Sequence, residues 1–154
     1  MKSCFFIGHR DIGSQVLPQL VEAIERHITE HHVTTFFVGH YGGFDRLVAR
    51  ALKDVKQRHP EIRVVLVLPY HPAERPVKLP DGFDSSYYPW TDERIPRRLA
   101  IIKTNQYMVD SCDYLITYAY HFLGGTGQIV EYARKRESKG LLSVTNLASQ
   151  ASAL

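Results

Sequence analysis

Near its amino terminus the chain reads SCFFIGHR (residues 3–10). The apolar run over residues 3–7 does not alternate with polar residues, which is typical of a short strand buried on both faces. A glycine, a histidine and an arginine follow at once, and a helical pattern of apolar residues then covers residues 13–31. This order of strand, glycine-containing turn and helix is the arrangement in which anionic ligands are bound where a strand ends.

The same order recurs along the chain. Further strands are predicted over residues 33–38, 62–68, 114–118 and 141–144. Helices are predicted between them, over residues 44–58, 96–110 and 124–137. Buried strands joined by helices imply a parallel sheet with right-handed crossovers. The predicted fold is therefore α/β: a Rossmann-like, doubly wound parallel sheet of about five strands in the order 3-2-1-4-5, with helices on both faces.

The length and composition are those of one globular domain. The chain has 154 residues, of which 44% are hydrophobic and 23% charged, as in ordinary globular proteins. We expect a single domain over residues 1–154. A segment rich in proline, over about residues 69–95, is predicted to be a long loop or lid, and residues 146–154 a weakly ordered tail.

Charge, hydropathy and cysteine content limit the function classes. The net charge of +3 suits an anionic small ligand about as well as weak contact with nucleic acid. No apolar run reaches about 18 residues and no signal peptide is recognised, so we expect a cytoplasmic protein with no membrane partner. Cys4 and Cys112 lie in or beside apolar runs, which favours small buried side chains over a disulfide or zinc site. No metal or cofactor is predicted.

Three glycine-containing loops are predicted to meet at one edge of the sheet. Each follows a strand and precedes a helix, so its backbone N–H groups can approach an anion at a helix start. Any one of these glycines alone is as well explained by a plain turn, and the histidine by a structural role. Together they predict a site for a nucleotide or nucleotide-derived phosphate ligand. The predicted binding residues are Gly8, His9, Arg10, Gly39, Gly42, Gly43, Asp45, Gly124, Gly125, Thr126 and Gly127.

Two carboxylates near predicted helix starts have both a functional and a structural interpretation. Glu131 follows the third glycine loop, and Asp45 belongs to the second. Either side chain is favoured there by the helix dipole alone. Alternatively, Glu131 binds ribose hydroxyls or acts in glycosidic chemistry, and Asp45 is a second polar ligand contact. Glu131 is the candidate catalytic residue.

Aromatic residues stand out in the long loop, among them Tyr88 and the single tryptophan, Trp90. One interpretation is a lid whose rings stack on a nucleobase. The other is that these rings hold the loop on the body of the domain, and the sequence leaves both open.

Four sequence motifs together resemble a known superfamily. They are CFFIGHR (4–10), GGFD (42–45), NQYMVD (105–110) and GGTGQIVEYA (124–133). In combination they are similar to the YpsA-like branch of the SLOG superfamily, which also includes the LOG cytokinin-activating enzymes and the DNA-processing protein DprA. The resemblance covers nearly the whole chain to about residue 144, and it implies a Rossmann-like fold and a nucleotide-related ligand.

The LOG enzymes are phosphoribohydrolases, which release a base from its ribose 5′-monophosphate, and their glycine motif ends in a glutamate. The chain keeps that motif in part, with matches at Gly124, Gly125, Gly127 and Glu131 and departures at Leu123 and Gln128. The arginine–lysine pair of the LOG enzymes is replaced by Thr104 and Asn105. Losing a placed cation weakens stabilisation of the charge that develops when the glycosidic bond breaks.

These observations lead to three function hypotheses. The first is a binding or sensing module for a nucleotide-type small molecule. The second is a LOG-like hydrolase of nucleoside 5′-monophosphates, which Glu131 supports. The third and weakest is binding of single-stranded DNA as in DprA, since the basic residues are scattered rather than aligned. A homodimer is expected, as is common in the superfamily and for such domains.

Overall fold

The computed structural model describes residues 2–121 and 123–152. The strands are β1 (Lys2–Gly8), β2 (Val33–Val38), β3 (Arg63–Val67), β4 (Ser85–Tyr87), β5 (Tyr114–Tyr118) and β6 (Ser143–Asn146). The helices are α1 (Leu17–Thr29), α2 (Gly43–Arg58), α3 (Ala100–Ser111), α4 (Gly124–Ser138) and α5 (Leu147–Ser152). Short 3₁₀ turns at Ser14–Val16 and Arg97–Leu99 lead into α1 and α3.

The six strands form one parallel sheet in the order β4-β3-β2-β1-β5-β6. The five predicted strands occur in the predicted order, which confirms the α/β, doubly wound class. The predicted count was one too low, because β4 lies inside the segment expected to be a loop. β1 is at the centre, with β2 on one side and β5 on the other.

Strand β4 is held mainly by polar contacts, and its last residue, Tyr87, also packs against a core. Its three residues are only partly buried or exposed. The Asp84 carboxylate accepts the backbone N–H of Val64 at 2.8 Å and pairs with Lys56 at 2.6 Å. At the carboxyl ends of β3 and β4, the Leu68 N–H donates to the Tyr87 carbonyl at 2.8 Å. A three-residue polar strand fixed by such distant partners has no periodic signal of its own.

The two faces of the sheet carry separate cores. α1 and α2 cover one face, where Cys4 and Phe6 of β1 are buried and the Phe6 ring meets the Phe36 ring at 6.0 Å. α3 and α4 cover the other face, where Phe5 and Ile7 are buried. Neighbouring residues of β1 therefore point into opposite cores, as expected of a central strand. Cys4 and Cys112 are both buried free thiols, as predicted.

Several element boundaries differ from the prediction, including those of α1, α3 and the last strand. α1 begins at Leu17, after a 3₁₀ turn, so that Pro18 falls in its first turn, where the missing N–H costs nothing. The last strand is displaced by two residues to Ser143–Asn146, and α5 follows it directly. Leu147 of α5 is fully buried although the sequence predicted a frayed or weakly helical tail. Residues 153 and 154 of that predicted tail lie outside the described residues.

All parallel strands end at the same edge, so the loops after β1, β2 and β5 are neighbours. The loop after β1 is tied to the end of β5 by the His9 N–H, which donates to the Tyr118 carbonyl at 3.3 Å. Over residues 2–121 and 123–152, no helix combines the length and the apolar character needed to span a membrane.

Candidate functional site

A cleft of about 450 Å³ opens at the carboxyl ends of the central strands. The loops after β1, β2 and β5 contribute to its walls, and so does α3. This is the position at which doubly wound sheets bind ligands, because the loops diverge where the strand order reverses. The predicted site residues that line the cleft are Gly8, His9, Arg10, Gly39, Asp45, Gly124, Gly125 and Thr126.

His9 is a buried, neutral imidazole with a defined tautomer. Its Nε2 accepts the backbone N–H of Tyr120 at 3.1 Å, and the His121 ring stacks on it at 4.0 Å. Burial lowers the pKa of His9, and the neighbouring His121 lowers it further. Because Nε2 is an acceptor, the proton of the neutral ring is on Nδ1. His9 therefore offers the cleft an N–H donor rather than a positive charge.

Two predicted glycines let the loops after β1 and β2 pack closely. The Gly43 N–H donates to the Arg10 carbonyl at 2.8 Å, and a Cβ at Gly43 would overlap that same carbonyl oxygen. Gly42 has a φ of 101°, and a Cβ there would lie 2.8 Å from the Arg10 side chain. Neither glycine is among the residues that line the cleft. Their role in this structure is to place Arg10, not to contact the ligand space.

The Arg10 guanidinium is the main positive charge of the cleft. Its side chain is exposed, and no carboxylate of the described part of the chain forms an ion pair with it. The acidic residues of the cleft wall are Asp11 and Asp45. An exposed arginine without a carboxylate partner can pair with two oxygens of a phosphate.

Asp45 lies in the first turn of α2 with its carboxylate against the loop. Its Oδ2 accepts the Tyr41 N–H at 3.1 Å, and a Cβ at Gly39 would lie 2.9 Å from the same oxygen. Burial raises the pKa of Asp45 to about 7, although the Tyr41 N–H, Arg10 and Arg46 each oppose the rise. The carboxyl group therefore exchanges a proton near neutral pH, which is the property of a general acid or base.

The start of α4 is open on its cleft side. Gly124 has a φ of 83°, and a Cβ built at Gly124 or Gly125 would meet nothing within 4 Å. The first N–H groups of a helix lack partners within it and carry its positive dipole end. Thr126 donates its hydroxyl to the Gly8 carbonyl at 3.3 Å, which ties this helix start to the loop after β1. Gly127 is buried in the same turn and does not line the cleft.

Glu131, the predicted catalytic residue, is not brought to the cleft. Its side chain is exposed on α4 and does not contribute to the cleft wall. Glu131 lies nearly two turns, or about 10 Å, beyond Gly124 along α4, so the first turn of the helix lines the cleft while Glu131 does not. The catalytic role of Glu131 stays a prediction that the cleft geometry does not favour.

The predicted lid rings hold the loop instead of lining the cleft. Trp90 donates its Nε1–H to the Thr104 hydroxyl of α3 at 2.8 Å, and its ring meets Tyr107 at 5.3 Å. Tyr88 packs edge-on against His71 at 5.2 Å. Of the two interpretations left open by the sequence, the contacts match the one in which these rings secure the loop.

Several residues of the cleft wall were missed as site residues. They include Asp11, Tyr41, Pro69, Ile101 and Ile102. Tyr41 sits inside the second glycine loop, so the loop pattern itself could have indicated it. Thr104 and Asn105 of α3 also line the cleft, and the superfamily resemblance pointed to their positions. Ile101 and Ile102 carry no such signal, because only the tertiary packing of α3 brings them to the strand ends.

The donors of the cleft suit an anion better than a metal ion. Within the described ranges, no three His, Cys, Asp or Glu side chains are grouped as metal ligands. The groups that do converge are the start of α4, the Arg10 guanidinium and the His9 ring. These are hydrogen-bond donors, which is the chemistry of phosphate recognition.

A six-stranded parallel sheet with helices on both faces and a cleft at its carboxyl edge defines a Rossmann-like α/β protein. A solved structure with a similar fold is the X-ray structure of DNA processing protein A (DprA) from Streptococcus pneumoniae, at a TM-score of 0.65. The match covers 94% of this chain and 49% of the DprA chain at 15% sequence identity. The chain thus spans about half the length of DprA, and the likeness shows the fold alone.

No protein-family model matches the sequence, and no curated protein matches it. The shared fold agrees with the superfamily resemblance at the level of architecture. The likeness to DprA assigns to this chain neither a branch of the superfamily nor a ligand.

We predict that alanine destabilises the protein at Gly43 but not at Gly125. Gly43→Ala should lower the free energy of unfolding by about 1–3 kcal/mol, because its Cβ overlaps the Arg10 carbonyl. Gly125→Ala should change it by less than about 0.5 kcal/mol, because its Cβ meets open space. Urea denaturation followed by circular dichroism measures both. Equal losses in the two variants would contradict the division of the glycines into packing and open positions.

We also predict a pH signature for Asp45. The unfolded carboxyl ionises near 3.8 and the folded one near 7, so the native state binds the extra proton between these values. Stability contributed by this group therefore falls as pH rises through that window and is constant above it. Asp45→Asn lacks the titration but keeps an oxygen for the Tyr41 N–H. The difference in unfolding free energy between wild type and Asp45→Asn, measured from pH 4.5 to 8, should change across the window, and a constant difference would refute the assignment.

Proposed function

We propose that the protein binds a nucleotide or nucleotide-derived phosphate ligand in this cleft, as a binding or sensing module. The observation that carries the proposal is that the open start of α4 and the unpaired Arg10 side chain line the same cleft. A helix start and an arginine are two independent ways to stabilise phosphate oxygens.

The size and composition of the cleft agree with a small ligand. Its volume of about 450 Å³ falls in the range of roughly 300–1,000 Å³ typical of small-molecule sites. Apolar side chains such as Ile101 and Leu123 lie beside the polar groups. A few directed donors within an apolar wall give orientation and specificity to one bound molecule.

Finer assignments belong to the same proposal. We propose that the chain is a member of the YpsA-like branch of the superfamily, because its four motifs resemble that branch, and that it is a homodimer in the cytoplasm. The expected ligand class follows from the cleft itself and does not depend on these assignments.

Replacement of Arg10 tests the proposal directly. Titration calorimetry with a panel of nucleoside 5′-monophosphates and ribose 5-phosphate should give saturable binding to the wild type. Arg10→Gln should weaken it by about 10- to 100-fold, the loss of one charge-assisted contact. Arg26→Gln is the matched control, because Arg26 lies in the last turn of α1, paired with Glu22. The proposal fails if no member of the panel binds, or if both variants bind like the wild type.

Hydrolysis of an N-glycosidic bond is the second candidate function, and Asp45 is the observation that favours it. In such a step the water oxygen bonds to the ribose C1′, the C1′–N bond breaks, and a general acid gives its proton to the departing base nitrogen. The attacking water loses one proton to solvent, and the acid takes a proton back from solvent before the next turnover. Asp45 lines the cleft and has a pKa of about 7. It therefore meets the requirements for the acid better than the exposed Glu131 does.

Release of free base from the same nucleotide panel, followed by chromatography, decides this candidate. If the protein is a hydrolase, Asp45→Asn should lower the rate by about 100-fold or more, while Glu131→Ala should leave it near the wild-type value. Loss of activity in Glu131→Ala alone would restore Glu131 as the catalytic residue. Absence of base release from every nucleotide would leave the binding function and eliminate the hydrolase.

DNA binding is the weaker alternative, and the DprA fold likeness gives it limited support. The structure with the similar fold is that of a DNA processing protein, and Arg10 in the cleft wall is an exposed cation that a DNA phosphate could contact. Binding to single-stranded oligonucleotides would show a steep dependence on salt concentration, because phosphate contacts release counterions. A mononucleotide bound as tightly as an oligonucleotide would argue against it.

A further inference from the structure

Tyr41, Tyr70 and Arg75 form a cluster beside the cleft, which we name the tyrosine–arginine cluster. The Tyr41 and Tyr70 rings meet edge-on with their centres 6.4 Å apart, and the Arg75 guanidinium lies 4.1 Å from the centre of the Tyr70 ring. Burial, followed by Tyr70, raises the pKa of Tyr41, and a hydrogen bond from Arg75 opposes that rise. Arg75 thus bridges the two tyrosines.

The cluster continues the wall of the cleft on the side of β2 and β3. Tyr41 lines the cleft in the loop after β2, and Pro69, which also lines it, precedes Tyr70 directly. The open start of α4 is on the other side, after β5. Two strand spacings, roughly 10 Å, separate the ends of β2 and β5. Only an extended ligand can therefore reach both the cluster and α4.

The Tyr41 ring is in contact with its neighbour His40. The His40 imidazole packs on it with ring centres 4.2 Å apart and an interplanar angle of 35°. A ring with one face covered by a neighbour and a place in the cleft wall has limited rotational freedom. Such a ring loses little conformational entropy when a flat molecule packs against it.

The cationic member of the cluster has no acidic partner. Arg75 is exposed, and over the described residues no carboxylate pairs with it, whereas the neighbouring Glu74 pairs with Arg97. The loop itself is already secured by β4 and by the Trp90–Thr104 hydrogen bond. Securing the loop therefore does not account for an arginine held over a tyrosine at the edge of the cleft.

We propose that the tyrosine–arginine cluster is the base-binding end of the ligand site, so that the ligand carries a heteroaromatic base. The base stacks on the Tyr41 ring with Arg75 beside it, while the phosphate lies at Arg10 and the start of α4. Aromatic rings and guanidinium planes recognise bases by stacking with little preference among them. This inference rests on the proposed function and identifies the part of the site that holds the base of the ligand.

Calorimetric titration with ribose 5-phosphate and with the four common nucleoside 5′-monophosphates tests the inference. The wild type should bind the nucleotides roughly tenfold more tightly than ribose 5-phosphate, the contribution of one stacked base. Tyr41→Ala and Arg75→Ala should each remove most of that difference and leave the affinity for ribose 5-phosphate unchanged. Tyr41→Phe, which keeps the ring, should preserve it.

Two control variants match the tested side chains. Tyr88→Ala removes a loop tyrosine that does not line the cleft, and Arg63→Ala removes an exposed arginine at the start of β3, at the opposite edge of the sheet. Both should bind like the wild type. Arg75→Ala alters an exposed side chain, so it remains a test even if Tyr41→Ala does not fold, which thermal denaturation reports.

The outcomes separate this inference from the function on which it rests. If neither ribose 5-phosphate nor any nucleotide binds, the proposed function fails and the inference with it. If the wild type binds ribose 5-phosphate and nucleotides equally, the proposed function stands and the base-binding end is wrong. A loss in Tyr88→Ala as large as that in Tyr41→Ala would also overturn the inference.

Discussion

The structure depends on the burial of β1 between two strands and two cores. β1 pairs with β2 and with β5 along its length, and its residues alternate between the core under α1 and α2 and the core under α3 and α4. The loop after β1 leads to α1 on one face of the sheet, whereas the loop after β5 leads to α4 on the other face. The cleft is the space between these diverging loops, so it follows from the topology before any ligand is considered.

The glycines convert this topological gap into a site with a definite shape. Gly8 lies against the Phe44 ring, and Gly43 lies against the Arg10 carbonyl. These contacts bring the loops after β1 and β2 together. Gly124 and Gly125 face open space instead. Close packing on one side and open backbone on the other give a cleft whose shape is set by the protein itself. Such pre-formation reduces the entropy that a ligand must lose when it orders its surroundings.

The parts of this structure that could be predicted from the sequence are those with a local signal. The strands on either side of β1 are continuous apolar runs, and the glycine loops follow them directly, so both the sheet order and the cleft position were accessible. The position of β4 could not be predicted, because it depends on contacts of Asp84 with Val64 and Lys56, which are distant in the sequence.

The roles of aromatic side chains were also beyond the sequence. Tyr88 and Trp90 stand in a conspicuous cluster but secure the loop, whereas Tyr41 lines the cleft. Exposed Glu131 and partly buried Asp45 both lie near helix starts. Only the three-dimensional surroundings distinguish the carboxyl group with a shifted pKa from the one that faces solvent. Burial of a side chain by residues distant in sequence leaves no local pattern from which its role can be predicted.

The proximity of Asp45 and Arg10 couples proton exchange to anion binding. Burial raises the pKa of Asp45 more than Arg10 lowers it. The positive field of Arg10 therefore partly stabilises the ionised carboxylate. A phosphate at Arg10 would neutralise that field, raise the pKa of Asp45 further and favour its protonated form. By linkage, protonation of Asp45 must strengthen anion binding by the same free energy.

In a binding module this coupling makes affinity for an anion decrease with rising pH, and in a hydrolase it delivers a protonated carboxyl to the substrate when the phosphate binds. The same two groups, Asp45 and the Arg10 guanidinium near it, would therefore serve either proposed function, and the difference between the two functions lies in whether a scissile bond is placed within reach of Asp45.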